Sequence, residues 1–161
     1  MRPERLVYDS SPIIALARAG WGDLLHEVGD ALIPNAVATE IEAGPPRDPA
    51  RLWLAGSSLP RIPAPPSSAA IQAWGLGAGE TAVLACVADA PAERLAVLDD
   101  KAARRCAEAL GLRVTGTMGL LLRARQSGVL GAVSPVIGDL IRAGLYVDDR
   151  LARATRAQAG E

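Results

Sequence analysis

Leu95-Ala96-Val97-Leu98-Asp99-Asp100 is the most telling stretch of this chain: four consecutive apolar residues closed by two acids. An unbroken apolar run of that length predicts a strand buried on both faces, the kind found in parallel sheets. Outward from it, Lys101 to Leu110 reads as a helix stopped by Gly111, and Leu112-Arg113-Val114 as the following strand. Thr117 to Gln126, Ser134 to about Arg142 and Asp148 to Gln158 carry three further helical patterns. On the other side, Glu80 to about Ala88 is a strongly apolar helix, opened by Gly75-Leu76-Gly77-Ala78-Gly79. The proline- and serine-rich segment before those glycines reads as loop. Nearer the N-terminus, Leu6-Val7-Tyr8 and Ala31-Leu32-Ile33 are short strands, and Leu59 to Ile62 is a candidate third. Ser11 and Pro12 read as cap and first residue of the helix after Tyr8-Asp9. Asn35 reads as the cap of the next long one, and short helices are expected over Asp23 to Val28 and Asp48 to Ala55. Strands alternating with helices predict an α/β fold: a three-layer α/β/α arrangement on a mainly parallel sheet, with extra helices at the C-terminus.

The chain has 161 residues, 50% of them apolar and 22% charged, which suits one domain with a real core and excludes wholesale disorder. We read residues 1–161 as a single domain, with a core over about 4–115 and a helical extension over about 116–161. No run of about 18 apolar residues exists, so no membrane span is expected. Met1-Arg2-Pro3-Glu4-Arg5 leads into the first strand without a signal-peptide pattern. Cys86 and Cys106 form no metal spacing and fit a reduced, cytoplasmic protein. The net charge of −1 divides unevenly, with −6 on residues 1–100 and +5 on residues 101–161. The basic second half points weakly to polyanions, and arginines solvating helices explain it equally well.

Carboxylates mark the carboxyl ends of the strands, where open parallel sheets bind ligands. Asp9 follows the first strand, and with Ser11-Pro12 available to start the helix it is surplus to capping. Of Asp99 and Asp100, one serves as a helix cap and the other is left free. Glu80, in a first helical turn, is favoured by the helix dipole alone. Glu40 lies between Val37 and Ile41, beside an apolar stripe where a lone Glu needs a partner. Two carboxylates 4 Å apart repel by roughly 1 kcal/mol in water and up to about 4 kcal/mol near a protein surface. Four converging acids therefore require a counter-ion, and only Lys101 and Arg104 are near in sequence. An all-oxygen donor set suits Mg²⁺ or Mn²⁺, which can activate a water against a phosphodiester. Such a site is that of a nuclease.

Asp9-Ser10-Ser11-Pro12-x-Ile14, Val37-Ala38-Thr39-Glu40-Ile41, Gly77-x-Gly79-Glu80 and Leu98-Asp99-Asp100 resemble the four-acid pattern of PIN domains. Leu98-Asp99-Asp100-x-x-Ala103-Arg104 and Gly111-Leu112-x-Val114-Thr115-Gly116-Thr117 are similar to one prokaryotic branch of that family, as is Gly119-x-Leu121-Leu122-x-Ala124. The likeness runs over about the whole chain. It implies a three-layer α/β/α fold and Mg²⁺- or Mn²⁺-dependent endoribonuclease activity. It also implies a homodimer and often the toxin role of a toxin–antitoxin pair, with RNA as substrate and an antitoxin protein as partner. By position, Asp9, Glu40, Glu80 and Asp99 would be the catalytic, metal-binding acids, with Asp100 a substitute or outer member. Ser10 or Ser11 stands where many PIN domains carry Ser or Thr beside the first acid. Thr115 and Thr117 would orient water or phosphate, and Lys101 or Arg104 would steady phosphate charge. Two departures stand out: Glu80 replaces the Asp of many members, and compact PIN domains stop soon after the strand that ends at Val114.

Other features carry less. The glycines at 75, 77 and 79 fail the dinucleotide pattern, since no strand precedes them and the third falls one position early. His26 is the only histidine and has no cysteine cluster to make a zinc site. With no Phe and only Tyr8, Tyr146, Trp21, Trp53 and Trp74, an RNA would be held mainly through its backbone. Trp53 and Trp74 flank the proline-rich segment, and ordinary packing accounts for both. The rival expectation is a catalytically silent PIN-like module acting through protein contacts, which the alanine-rich C-terminal helices also fit. A phosphoacceptor receiver domain ranks last, because its paired acids come early in the chain and these come late.

Overall fold

Five short strands pair in parallel in the computed structural model, which describes residues 4–161. They are β1 (Arg5–Tyr8), β2 (Asp30–Pro34), β3 (Arg61–Ile62), β4 (Arg94–Val97) and β5 (Val114–Thr115), in the spatial order β3-β2-β1-β4-β5. The N-terminal Met1-Arg2-Pro3 lies outside the described residues. Ten helices flank this sheet: α1 (Ser10–Arg18), α2 (Leu24–Glu27), α3 (Asn35–Glu42), α4 (Pro49–Ala55), α5 (Ala69–Gln72), α6 (Ala78–Asp89), α7 (Lys101–Ala109), α8 (Thr117–Gln126), α9 (Ser134–Arg142) and α10 (Asp149–Gln158). The architecture is the expected α/β fold on a parallel sheet. No helix among the described residues is long and apolar enough to cross a membrane.

Beyond their leading Arg5 and Arg94, β1 and β4 are apolar because both faces are covered: Leu6, Val7, Tyr8, Leu95, Ala96 and Val97 are all buried. Tyr8 pairs with Val97, and the Asp9 amide donates to the Val97 carbonyl at 3.1 Å, so β1 and β4 end level. Here the strand order also reverses: β2 and β3 lie on one side of β1, β4 and β5 on the other. In open α/β sheets such a reversal is where the ligand crevice lies, here at the carboxyl ends of β1 and β4. Helix α6 is buried from Ala82 to Val87, touching α3, α7 and three strands, which is why its sequence is apolar all round. Cys86 and Cys106 are both free and buried.

The C-terminal helices are part of the same core. Leu120, Leu121, Ile137 and Leu140 are fully buried, α9 packs on α1, and α10 packs on α8. Trp21 donates its indole N–H to Asp139 at 2.8 Å, tying the end of α1 to α9. Glu161 folds back to accept from the amides of Val133 and Ser134 at 2.6 and 3.0 Å, closing the start of α9.

Several boundaries differ from expectation. Helix α1 starts at Ser10, with Asp9 in the cap position, so Ser11 is no cap and Pro12 is the third helical residue. The ladder bond at Asp9 N–H turns the chain straight from strand into helix, and a first-turn proline removes an amide that has no helical partner anyway. Asn35 is likewise inside α3, with Pro34 at the cap position. The third strand shrinks to Arg61–Ile62, and the fifth shifts to Val114–Thr115. The segment read as loop contains α5, capped by Ser68, whose hydroxyl accepts from Ile71 N–H at 3.3 Å.

Candidate active site

Asp9 is fully buried at the end of β1, and neither carboxylate oxygen has a hydrogen-bond partner. Its pKa is pushed up to about 7, first by burial and then by the charges of Glu80, Glu40 and Asp99. The Ser10 amide pulls the other way, without reaching hydrogen-bonding geometry. Asp9 thus feels the charges of the other three acids, although the four come from separate stretches of chain. A buried carboxylate with unfilled lone pairs among three like charges is a costly arrangement, and a cation relieves it.

Glu40 and Asp99 are each held by a specific local device, and Glu80 lies over the start of its own helix. Glu40 reaches from α3 to the start of α6, where Gly79 N–H donates to Oε1 at 2.8 Å, and Ser10 Oγ donates to Oε2 at 3.0 Å. A Cβ at Gly79 would lie 2.5 Å from Glu40 Oε2, which gives this glycine its physical reason. Glu80, the third residue of α6, folds back over the first turn, its Oε2 only 2.5 Å from where a Cβ of Gly77 would sit. Asp99 is clamped by Thr117, whose N–H reaches Oδ1 at 2.7 Å and whose hydroxyl reaches Oδ2 at 2.6 Å. Gly116 makes room for this clamp: its Cβ would meet Arg104 Nη1 at 2.5 Å and Asp99 Oδ1 at 2.8 Å. Arg104 therefore stands beside Asp99, where its Nη1 also donates to the Leu98 carbonyl at 3.2 Å.

Of the remaining expected residues, Asp100 caps α7, accepting from Ala103 N–H at 2.9 Å, so Asp99 is the member of the pair left to the crevice. Thr115 turns its hydroxyl towards Gly119 of α8, and only Thr117 of the two threonines meets an acid. Ser11 is exposed and borders a groove between α1 and α9. Lys101 lines a cavity of about 270 Å³ that also touches Asp99 and Thr117. The same cavity is lined by Tyr146, which sequence reasoning counted only among the scarce aromatics. Its one sequence signal is a Leu-Tyr-Val triplet between Gly144 and Asp148, too short for an element. A larger cavity of about 480 Å³ lies at the other ends of β1 and β2, lined by Arg5, Asp30 and Pro60, remote from the four acids. His26 sits 3.2 Å from Ser57 Oγ and packs on Trp53, in keeping with a packing role.

The donor set fits Mg²⁺ or Mn²⁺ by chemistry, being all oxygen, and Asp9 offers two buried oxygens that nothing else satisfies. Among the described residues, no three acids close in as a ready-made ligand group. Glu40 and Asp99 already spend both oxygens on hydrogen bonds from the chain, each oxygen keeping a further lone pair.

No curated protein and no solved structure matches the chain. The sequence profile of the PIN domain matches residues 5–161, that is, all five strands and all ten helices. With the parallel sheet and the acids at its reversal point, the match shows that this chain belongs to the PIN-domain family.

Proposed function

We propose that this chain is a divalent-cation-dependent endoribonuclease whose centre is the crevice above β1 and β4. PIN domains are generally nucleases. The observation that carries the reading is Asp9: fully buried, unpartnered at both oxygens, and surrounded in charge by Glu40, Glu80 and Asp99. Mg²⁺ or Mn²⁺ held by these acids would supply water activation and charge neutralisation at the phosphodiester. The chain's own residues set the stage for it. Ser10 and Gly79 fix the Glu40 carboxylate, Thr117 fixes Asp99, and Arg104 places a guanidinium beside Asp99 where phosphate charge must be borne. Lys101 adds a second cation at the rim. The family likeness extends the reading to a cytoplasmic toxin paired with an antitoxin and acting as a homodimer. A small neighbouring reading frame for a DNA-binding antitoxin, and sedimentation at twice the chain mass, are its checks.

The purified protein is expected to cleave single-stranded RNA in Mn²⁺, to stop in EDTA, and to lose activity as Asp99→Asn. Undiminished cleavage in EDTA or by that variant would overturn the reading. A second reading, a silent PIN-like module, is favoured by one observation: both oxygens of Glu40 and of Asp99 already accept hydrogen bonds from the chain, and no three acids among the described residues are drawn together. Metal titration separates the two. A working site raises the melting temperature by several degrees in millimolar Mn²⁺, since binding only the folded state stabilises it. A silent one leaves it unchanged.

A further inference from the structure

The cavity beside Asp99 has a mixed lining. Lys101, Thr117, Asp99 and Asp148 supply polar lining, and Tyr146, Val147 and Leu151 supply apolar and aromatic lining. Tyr146 is 88% exposed, more than any other large apolar or aromatic residue described. Its neighbours Leu145 and Val147 both pack against the core, so the ring between them is turned outward on a loop pinned at both sides. The pinning continues in the backbone: Leu145 N–H bonds the Leu140 carbonyl at 3.0 Å, Gly144 makes the turn at φ 101°, and Asp148 caps α10. The backbone on either side of the ring is thus already ordered, so chiefly the side chain's own rotation remains to be lost when something stacks on it. Lys101 forms no ion pair among the described residues, whereas Asp148 spends an oxygen on the amides of Arg150 and Leu151. Lys101 is thus an unpaired cation in the cavity's lining, beside the carboxylates of Asp99 and Asp148, and it shares that lining with an exposed aromatic ring.

We infer that this cavity is a nucleotide subsite of the proposed ribonuclease centre, with Tyr146 stacking on one unpaired base and Lys101 taking an adjacent phosphate. The inference rests on the nuclease reading and adds what that reading lacks, a contact to a base. At about 270 Å³ the space is near the lower end of small-molecule sites, suited to a single base with its sugar. A duplex cannot present an unstacked base there, so the substrate is single-stranded RNA. Stacking accepts any base, because every base has a π-face; the subsite then sets affinity and register more than sequence.

The test uses the isotope-labelled full chain titrated with AMP, UMP and ribose 5-phosphate and followed by amide NMR shifts. The expected result is shifts centred on Lys101, Thr117 and Tyr146, with the two nucleotides binding about tenfold more tightly than ribose 5-phosphate, within the range base stacking supplies. Tyr146→Ala should erase that margin, and Tyr146→Phe should keep it. In RNA cleavage Tyr146→Ala should raise KM about tenfold and leave kcat within about twofold. Equal binding of nucleotides and ribose 5-phosphate, a margin that survives Tyr146→Ala, or shifts elsewhere would overturn the inference. So would concentration-dependent shifts at Tyr146 without ligand, which would assign this face to a second copy of the chain. Cleavage without the margin removes the subsite alone; the margin without any cleavage removes the nuclease reading and leaves a nucleotide site.

Discussion

Two glycines and two orphaned polar groups hold most of the information at the level of single residues. Gly79 and Gly116 are glycine because carboxylates and a guanidinium occupy the space a Cβ would need. Gly79→Ala should displace Glu40 from both Ser10 and the α6 amide. We expect a loss of about 10–100-fold in Mn²⁺-dependent cleavage, the usual effect of disturbing a residue that orients a metal ligand. A variant with full activity would show that the Glu40 position is immaterial. Tyr8 presents the reverse case: its hydroxyl is buried without a partner, and burial raises its pKa far above the ordinary value. Tyr8→Phe removes an unpaid desolvation and should leave stability equal or raise it by up to about 1 kcal/mol in urea unfolding. A clear destabilisation would mean the hydroxyl has a partner after all. Asp9→Asn should raise the melting temperature of the metal-free protein by a few degrees and abolish the stabilisation by Mn²⁺. The variant removes the repulsion and the ligand together, so opposite signs in the two measurements are its signature.

Among the helices, stability depends on acids placed at termini and turns. Glu161 closes α9, Asp139 accepts from Trp21 and pairs with Arg142, and Asp48 caps α4 while pairing with Arg18. All three have lowered pKa values, caused first by the Ser134 contact, the Trp21 indole and the Arg18 guanidinium respectively. The sign follows from linkage. A carboxylate held below its unfolded value, 4.5 for Glu and 3.8 for Asp, stabilises the fold above that value and ceases to do so as pH falls through its folded one. The melting temperature should therefore drop below about pH 4. Glu161→Gln combined with Asp139→Asn should flatten that acid limb while lowering stability at pH 7. An unchanged acid limb in thermal scans would count against these contacts. The same region is tied to the rest of the fold, since α8 supplies Thr117 to the site and α9 and α10 pack on α1 and α8.

For the molecule as a whole, the consequence is cooperative dependence on the last 35 residues or so. Removing everything after Gln126 takes Val133, Val136, Ile137 and Leu140, all fully buried, out of the core. Each such side chain contributes on the order of 1.5–3 kcal/mol of burial, and the sum rivals the 5–15 kcal/mol that holds an ordinary domain together. The truncated chain should lose its cooperative thermal transition by circular dichroism; a sharp melt near that of the full chain would show the helices to be dispensable. Charge is also organised at this scale. Some of the basic charge of the second half is paired internally, Arg113 and Arg123 both with Glu4 and Arg142 with Asp139. Lys101 and Arg104 stay beside the acids. A net charge of −1 is then compatible with binding RNA at one place, with little general attraction for it elsewhere.

The amino-acid sequence by itself determined the alternation of strands and helices, the parallel sheet, and the acids at strand ends. Those features are local: apolar run length reports burial on one or two faces, and a βα alternation leaves parallel pairing as the ready solution. Even the division of labour between Asp99 and Asp100 was half legible, because a helix start needs one cap and only one. Tertiary structure alone decided which residues meet. Thr117 clamps an acid 18 positions away, Gly79 owes its identity to Glu40, 39 positions away, and Tyr146 comes to line the same cavity as Lys101. Such meetings depend on where crossovers land and how strands register, quantities that periodicity along a chain does not encode. The sheet was written in runs of neighbours; the crevice was made by bringing strangers together at the point where the strand order reverses.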